Sequence, residues 1–431
     1  MRFGAARQTV SALLVSLCAV VSSAAGATAQ PTTDSQKPAQ TSAQCQNHDR
    51  PPPPIDTSEE PKPGQPSPSA LPVPQEPVGG THMGECGLVQ PAGSPVPPDI
   101  ASASWVIADI DSGAVLAAKD PHARERPASL IKVLLAIVAI RELRPDQVVV
   151  GVAEDAAQEG TKVGVGPGGQ YTVHQLLQAL VMRSGNDAAH ALARELGGVP
   201  NALSKMNALA KELGALDTRA ATPSGLDGPG MSTSAYDLSL LVRAAMKHKE
   251  FAEAVATKSI DFPGYGTKPG YKVINDNRLL GAYPGFLGGK TGFTDDARHT
   301  YLGSAQQGSR RLSVVLLRGE RNPAPLADQA AKLLDYGFAL TKTKAKPVGQ
   351  LVDKAPDVQP KQDQANQPSS TRTSEASQAE ASQPLDTQRS AFGTFGVPLV
   401  ILAGLAVLAS FALWIRRQRA KAARARRAAT V

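Results

Sequence analysis

The stretch ERPASLIKVLLAIVAI, residues 125–140, decides how the rest of the chain is read. After Lys132 come eight residues without a polar side chain, and a helix that is apolar on every side is a buried one. Yet Ser129 and Lys132 stand three apart at its entrance, on one face of a helix whose N-terminal dipole favours negative charge. A lysine withdrawn from water loses proton affinity and could take the proton of the serine beside it. The run therefore predicts a core helix, ended where Arg144 precedes Pro145, with a nucleophile and its base at the mouth.

Outward from that helix, SASWVIADIDSGAVLAAKD (102–120) predicts two strands about the turn DSGA. TVHQLLQALVM and DAAHALARELGG predict helices on either side of Ser184, the second stopped by Gly197 and Gly198. NALSKMNALAKELGA and SAYDLSLLVRAAMKH add two more helices. Late strands are expected at FLGGKTGF, TYLGSAQQ and RLSVVLLRG, followed by a closing helix in ADQAAKLLDYGFAL. Strands at both ends with helices between them predict an α/β domain over 100–342, its mostly antiparallel sheet assembled from the chain ends and flanked by helices.

The flanks have a different composition. Residues 1–29 carry Arg2 and Arg7, the apolar ALLVSLCAVV and then small residues, the three-part pattern of an export signal cleaved near Ala29. A lipoprotein signal would need a small residue before Cys18, where Leu17 stands. From 30 to 99 the chain is rich in Pro, Ser, Gln and Thr, which predicts an extended extracytoplasmic arm, and 343–391 is expected to be a flexible linker. Residues 392–415 hold 24 positions without a charge; at about 1.5 Å per residue a helix there would be roughly 36 Å long, enough to cross a bilayer. The tail 416–431 carries seven Lys or Arg and no acid, which places it in the cytoplasm and everything before the span outside.

This topology changes the meaning of the formal charge of +7. Without the seven cations of the tail and the two of the signal, the exported body is near −2, and the basic balance is no argument for nucleic acid. Cys18 leaves with the signal, so Cys45 and Cys86 are expected to pair in a compartment where disulfides persist. The seven histidines are scattered without ligand spacing, VGVGPGGQ lacks the frame of a phosphate loop, and no metal or cofactor is expected.

Two further short matches accompany Ser129-x-x-Lys132: Ser184-Gly185-Asn186 and Lys290-Thr291-Gly292, at spacings of 55 and 106 residues. Each is weak alone, but in this order they are the set shared by penicillin-binding proteins and class A β-lactamases. The domain resembles the low-molecular-mass penicillin-binding proteins that are D-alanyl-D-alanine carboxypeptidases, along WVIADIDSGAVL, PASLIK, VGPGGQYTVHQLLQALVMRSGNDAA, TPSGLDGPGMSTSAYDLSLLVRAA, GGKTGFTDDARHTYLGSA and AKLLDYGF. The likeness spans essentially all of 100–342 and neither flank.

The resemblance implies that Ser129 is the acylated nucleophile, Lys132 its base, and Ser184 a proton relay toward the departing D-alanine. Asn186 would hold Lys132 and a substrate amide, Lys290 would keep the field positive, and Thr291 would help hold the terminal carboxylate. The N–H groups of Ser129 and Phe293 would form the oxyanion hole, with Gly292 beside them. The implied substrates are peptidoglycan stem peptides, and β-lactams would be covalent inhibitors. In one respect the chain departs from the pattern: PAPLADQAAKLL offers no arginine at the start of the last helix, where relatives carry one for the carboxylate. A β-lactamase would need a deacylating glutamate in an E-x-x-L-N-like loop between the second and third motifs, and 187–289 has none. A D,D-endopeptidase or transpeptidase would use the same serine chemistry on cross-links. A non-catalytic peptidoglycan-binding protein would not need an intact nucleophile and base.

Overall fold

The computed structural model describes residues 45–356. The expected signal (1–29), most of the linker, the membrane span at 392–415 and the basic tail lie outside the described residues. No helix among the described residues is long and apolar enough to cross a membrane.

In chain order the strands and helices are β1 (Leu88–Val89), β2 (Ser102–Asp109), β3 (Ala114–Lys119), α1 (Lys132–Glu142), β4 (Val148–Val150), α2 (Ala153–Ala156), β5 (Gln170–Thr172), α3 (Val173–Arg183), α4 (Asn186–Glu195), α5 (Val199–Glu212), α6 (Ala235–Ala245), α7 (Lys249–Ala256), β6 (Ser259–Phe262), β7 (Tyr271–Ile274), β8 (Phe286–Thr294), β9 (Arg298–Gln307), β10 (Arg310–Gly319), α8 (Leu326–Thr341) and β11 (Gly349–Gln350). Seven strands form the main sheet, in the order β1-β3-β2-β10-β9-β8, with β11 also on β3. Every pairing is antiparallel. The sheet is thus assembled from the two ends of the domain, as the strand pattern predicts.

Alternation along the central strands divides the core between the two faces. Trp105 and Ile107 of β2, with Leu312, Val314 and Leu316 of β10, pack under α8. Val106, Ala108, Val315 and Leu317 join the larger cluster, whose centre is α1. From Lys132 to Ala139 every side chain of α1 is buried, and each large aliphatic one contributes about 1.5–3 kcal/mol. The DSGA turn closes as expected, with Asp109 Oδ1 accepting from the N–H groups of Asp111 and Ser112 and Gly113 at φ 76°.

The expectations for the flanks need correction. The arm drawn from 30 to 99 is, from Cys45 onward, laid along the domain. Cys45 and Cys86 are joined in a disulfide, Val78, Met83 and Val89 enter the larger core cluster, and β1 pairs with β3. Extended proline-rich chain makes no hydrogen bonds of its own, so its carbonyls are free for outside donors. Arg124 supplies them, donating from Nη1 to the carbonyls of Asp49 and Leu71 (2.6 Å each) and from Nη2 to that of Pro72 (2.8 Å). At the other end, the domain does not stop at Lys342. β11 pairs with β3, Tyr236 Oη donates to the Gln350 carbonyl at 2.7 Å, and Arg243 Nη1 donates to Asp353 Oδ1 at 2.7 Å.

Candidate active site

Ser129 lies in a single 3-10 turn, Ala128–Ile131, directly ahead of α1, so Lys132 is the first residue of the helix proper. The preceding Ala128 is in left-handed backbone at φ 46°, a conformation that persists only where its surroundings impose it. Gly225, at φ 83°, imposes it from one side: a Cβ there would meet the Ala128 carbonyl oxygen at 1.9 Å. Gly292 of β8 closes from the other, where a Cβ would meet Thr300 Oγ1 at 2.3 Å and the Ser129 nitrogen at 2.9 Å. Thr300 Oγ1 donates to the Pro127 carbonyl at 3.0 Å, fastening β9 to the same segment. The nucleophile's backbone is gripped by glycines because nothing larger fits.

Lys132 has no access to solvent. Its Nζ lies 2.9 Å from Ser129 Oγ and donates to Asn186 Oδ1 at 2.7 Å and to the Ser224 carbonyl. Burial above all, and then the charge of Lys290, holds it well below the ordinary lysine range, against the opposing pull of Asp187 and Asp276. A neutral amine has two N–H bonds and one lone pair. Here the two carbonyl oxygens take the N–H bonds, and the lone pair is left for the serine hydroxyl.

The remaining predicted residues converge on the same cleft of about 440 Å³, which Ser129, Ser184, Asn186, Thr291, Gly292 and Phe293 line. Ser184 ends α3 in left-handed backbone at φ 62°, and this kink turns the chain so that Asn186 can open α4. Asn186 Nδ2 donates to the Glu159 carbonyl at 2.7 Å, which fixes the orientation of the amide toward Lys132. Lys290 is buried in β8 and donates to the Thr291 carbonyl at 2.6 Å. Burial lowers it to about 8, with Asp276 pulling the other way. No arginine is among the residues that line the cleft, so Lys290 is the cation nearest to Thr291.

Three contributors escaped the sequence reading. Asp187, one position past the second motif, is fully buried and accepts from the N–H groups of Val163, Gly164 and Val165 at 2.8–3.0 Å. It thereby folds the 161–165 loop over the cleft, and the Thr161 carbonyl in turn accepts from Asn186 N–H at 2.7 Å. Its signal was an acid in the first turn of a helix. Asp276 lies 3.4 Å from Thr291 Oγ1, and Ser224 presents its carbonyl to Lys132; neither position announces itself in sequence. Away from the cleft, His122 comes within 4.8 Å of two carboxylates, Asp217 and Asp237. That group is closed on itself: one ring nitrogen of His122 faces Asp217 at 2.7 Å, the other the Val78 carbonyl at 2.9 Å, and Arg124 Nε donates to Asp217 at 3.0 Å.

A family model described as D-alanyl-D-alanine carboxypeptidase matches residues 92–320. The chain belongs to the D-alanyl-D-alanine carboxypeptidase family. Among relatives of this carboxypeptidase family, D-alanyl-D-alanine carboxypeptidase DacB2 of Mycobacterium tuberculosis is 48% identical over 257 residues, which cover 58% of this chain and 87% of that protein. The crystal structure of a D-alanyl-D-alanine carboxypeptidase from Mycobacterium tuberculosis H37Rv matches with a TM-score of 0.58 at 46% identity, over 61% of this chain and all of that one. The Streptomyces K15 DD-transpeptidase matches at 0.54 and 27% identity, over 57% of this chain and 100% of that one.

Proposed function

We propose that the protein is a serine-type D-Ala-D-Ala carboxypeptidase that removes the terminal D-alanine from peptidoglycan stem peptides and is acylated by β-lactams. The observation that carries this reading is the placement of Lys132 Nζ 2.9 Å from Ser129 Oγ, with its N–H bonds committed to Asn186 and Ser224. A base so arranged can accept the Ser129 proton as Oγ attacks the carbonyl carbon of the penultimate residue. The developing oxyanion is received by the N–H groups of Ser129 and Phe293. Collapse breaks the peptide bond; the leaving D-alanine nitrogen takes the proton, relayed through Ser184, and an ester remains on Ser129. Water, deprotonated by the same lysine, then hydrolyses the ester. Lys290 and Thr291 receive the terminal carboxylate, the group that distinguishes a chain end from a chain interior.

The same proposal places the catalytic domain on the outer side of the membrane, tethered through 392–415. The signal-like residues 1–29, the uncharged run at 392–415 and the basic tail that follows support this reading. The test is release of free D-alanine from a diacyl-Lys-D-Ala-D-Ala peptide by the purified protein. Release supports the carboxypeptidase. Cleavage of cross-linked fragments alone, with penicillin still on Ser129, would assign the same site to endopeptidase or transpeptidase work.

A further inference from the structure

The arm does more than lie along the domain, because one short piece of it bonds the chain segments that run into the cleft from two sides. Arg126, 2% exposed, donates from Nε to Glu59 Oε1 at 2.5 Å and from Nη2 to Glu59 Oε2 at 2.7 Å. A few residues earlier, the Ile55 N–H donates to Asp296 Oδ1 at 2.6 Å, and Ser58 Oγ donates to Asp296 Oδ2 at 3.4 Å. Arg126 stands three residues before Ser129, and Asp296 three residues after Phe293. The five residues 55–59 therefore join the chain entering one oxyanion donor to the chain leaving the other.

Those two donors belong to separate elements, the 3-10 turn before α1 and the end of β8. Glu59, Asp227 and Asp296 also gather within 4.8 Å of one another. Three carboxylates so close repel unless donors are interposed. Both oxygens of Glu59 are taken by Arg126, both of Asp296 by the arm, and Asp227 Oδ1 by Thr294 Oγ1 at 3.0 Å. Thr294 is the residue after Phe293, so the cluster grips β8 at the donor itself. A bidentate guanidinium–carboxylate pair fixes orientation as well as distance, which is what a spacer between two walls requires.

We propose that residues 55–59 act as a strap that sets the separation of the Ser129 and Phe293 N–H groups, with Glu59 as its positioning residue. This rests on the acyl-transfer reading above. The strap lies outside residues 92–320, the part of the chain that the family model covers. Its effect is confined to the charged transition state: a hole held at the wrong width weakens bonds to the oxyanion more than bonds to the neutral ground-state carbonyl.

The full-length protein, with Glu59→Gln, Asp296→Asn and the paired Glu59→Gln/Arg126→Met variant, tests it. The pair removes the guanidinium that the first change would leave buried and unmatched. The readouts are the rate constant for acylation by penicillin, kcat and KM for the peptide, and the infrared carbonyl stretch of the penicilloyl ester on Ser129. Expected are a fall in acylation and kcat on the order of 10- to 100-fold, a nearly constant KM, and a stretch displaced to higher wavenumber as the ester carbonyl loses its hydrogen bonds. Variants that melt earlier yet keep the wild-type acylation rate and stretch would reduce the strap to a structural contact and overturn the proposal. A wild type that penicillin never acylates would instead overturn the acyl-transfer reading, and the strap with it.

Discussion

Lys132 and Arg124 are both cations with almost no access to solvent, eight residues apart in the chain, and their surroundings treat them in opposite ways. Around Lys132 the fold sets neutral oxygens and a second buried lysine, so the amine is driven toward its uncharged form. Around Arg124 it sets the Asp217 carboxylate and three arm carbonyls, matched to a group that cannot give up its proton. The first site uses burial to make a base. The second uses it to bind a chain that has no hydrogen-bonding pattern of its own. Burial of a charge is therefore no sign of catalysis until the neighbours show whether the charge is being removed or retained.

Substitution at the two places should separate chemistry from architecture, and the largest effect belongs to the cleft. Ser129→Ala and Lys132→Ala should each lower kcat by roughly 10⁴-fold or more, the first with a melting temperature near that of the wild type and the second melting somewhat earlier, because it leaves a cavity and two buried carbonyls without their donor but no buried charge. D-alanine release and calorimetry on the same samples check this. Arg124→Ala should do the reverse. It leaves Asp217 to His122 alone and the arm carbonyls without a donor, at a cost of about 3 kcal/mol in unfolding free energy, read in urea melts. An Arg124→Ala protein with unchanged stability would break the comparison, because the arm would then be held elsewhere.

Much of the cleft was legible in sequence because two of its motifs sit where an element begins or ends: Lys132 opens α1, and Ser184 and Asn186 flank a helix break, while Lys290 stands in the middle of β8 and is marked by the glycines about it. Local patterning marks such places, and the ordered trio then names the chemistry. The seated arm was not legible, for a physical reason. Proline-rich composition reports that a segment makes no bonds to itself and says nothing of donors elsewhere; Arg124 lies 52–75 residues from the carbonyls it holds. The β6–β7 hairpin and α7 went unnoticed because they are short, four residues per strand and eight in the helix, and Asp187 because its four partners are backbone N–H groups, which every residue offers.

Asp187 sharpens the comparison from inside the cleft, because it is a buried charge held by backbone donors alone. Asp187→Asn keeps the shape but removes the charge and one set of acceptor lone pairs, and should cost about 1–3 kcal/mol of stability. It should also shift the acid limb of the pH–rate profile to lower pH, since Asp187 is one of the groups that stabilise the Lys132 ammonium. Both are measurable on one preparation. An unmoved acid limb would mean that the carboxylate shapes the loop without being felt at the base.

The smallest effect, and the finest test, is the pH dependence of the two regions. In the cleft, acylation needs Lys132 neutral and Lys290 charged. The rate should rise as pH climbs through the depressed value of Lys132 and fall above about 8, where Lys290 loses its proton, by about tenfold per pH unit at most; the two limbs belong to the lysine pair as a whole. The arm follows another group. His122 presents both ring nitrogens to acceptors, Asp217 and the Val78 carbonyl, an arrangement that only the imidazolium satisfies; burial pulls its affinity for the proton down, but the Asp217 and Asp237 charges and the bonds to Asp217 and Val78 together raise it above the ordinary histidine value. A raised histidine adds stability that is complete below the unfolded value and is lost as pH rises through the folded one. Burial and the Asp217 charge likewise push Asp237 up, so the folded chain keeps a proton there that the unfolded chain releases, and stability falls again with rising pH. Melting temperature should therefore decline as pH rises, together with activity on the alkaline side, but only the decline in melting should shrink in His122→Gln, which keeps a donor for Val78 and cannot titrate, while the part that Asp237 contributes remains. Loss of the alkaline activity limb in that variant would show that the arm, and not Lys290, sets it.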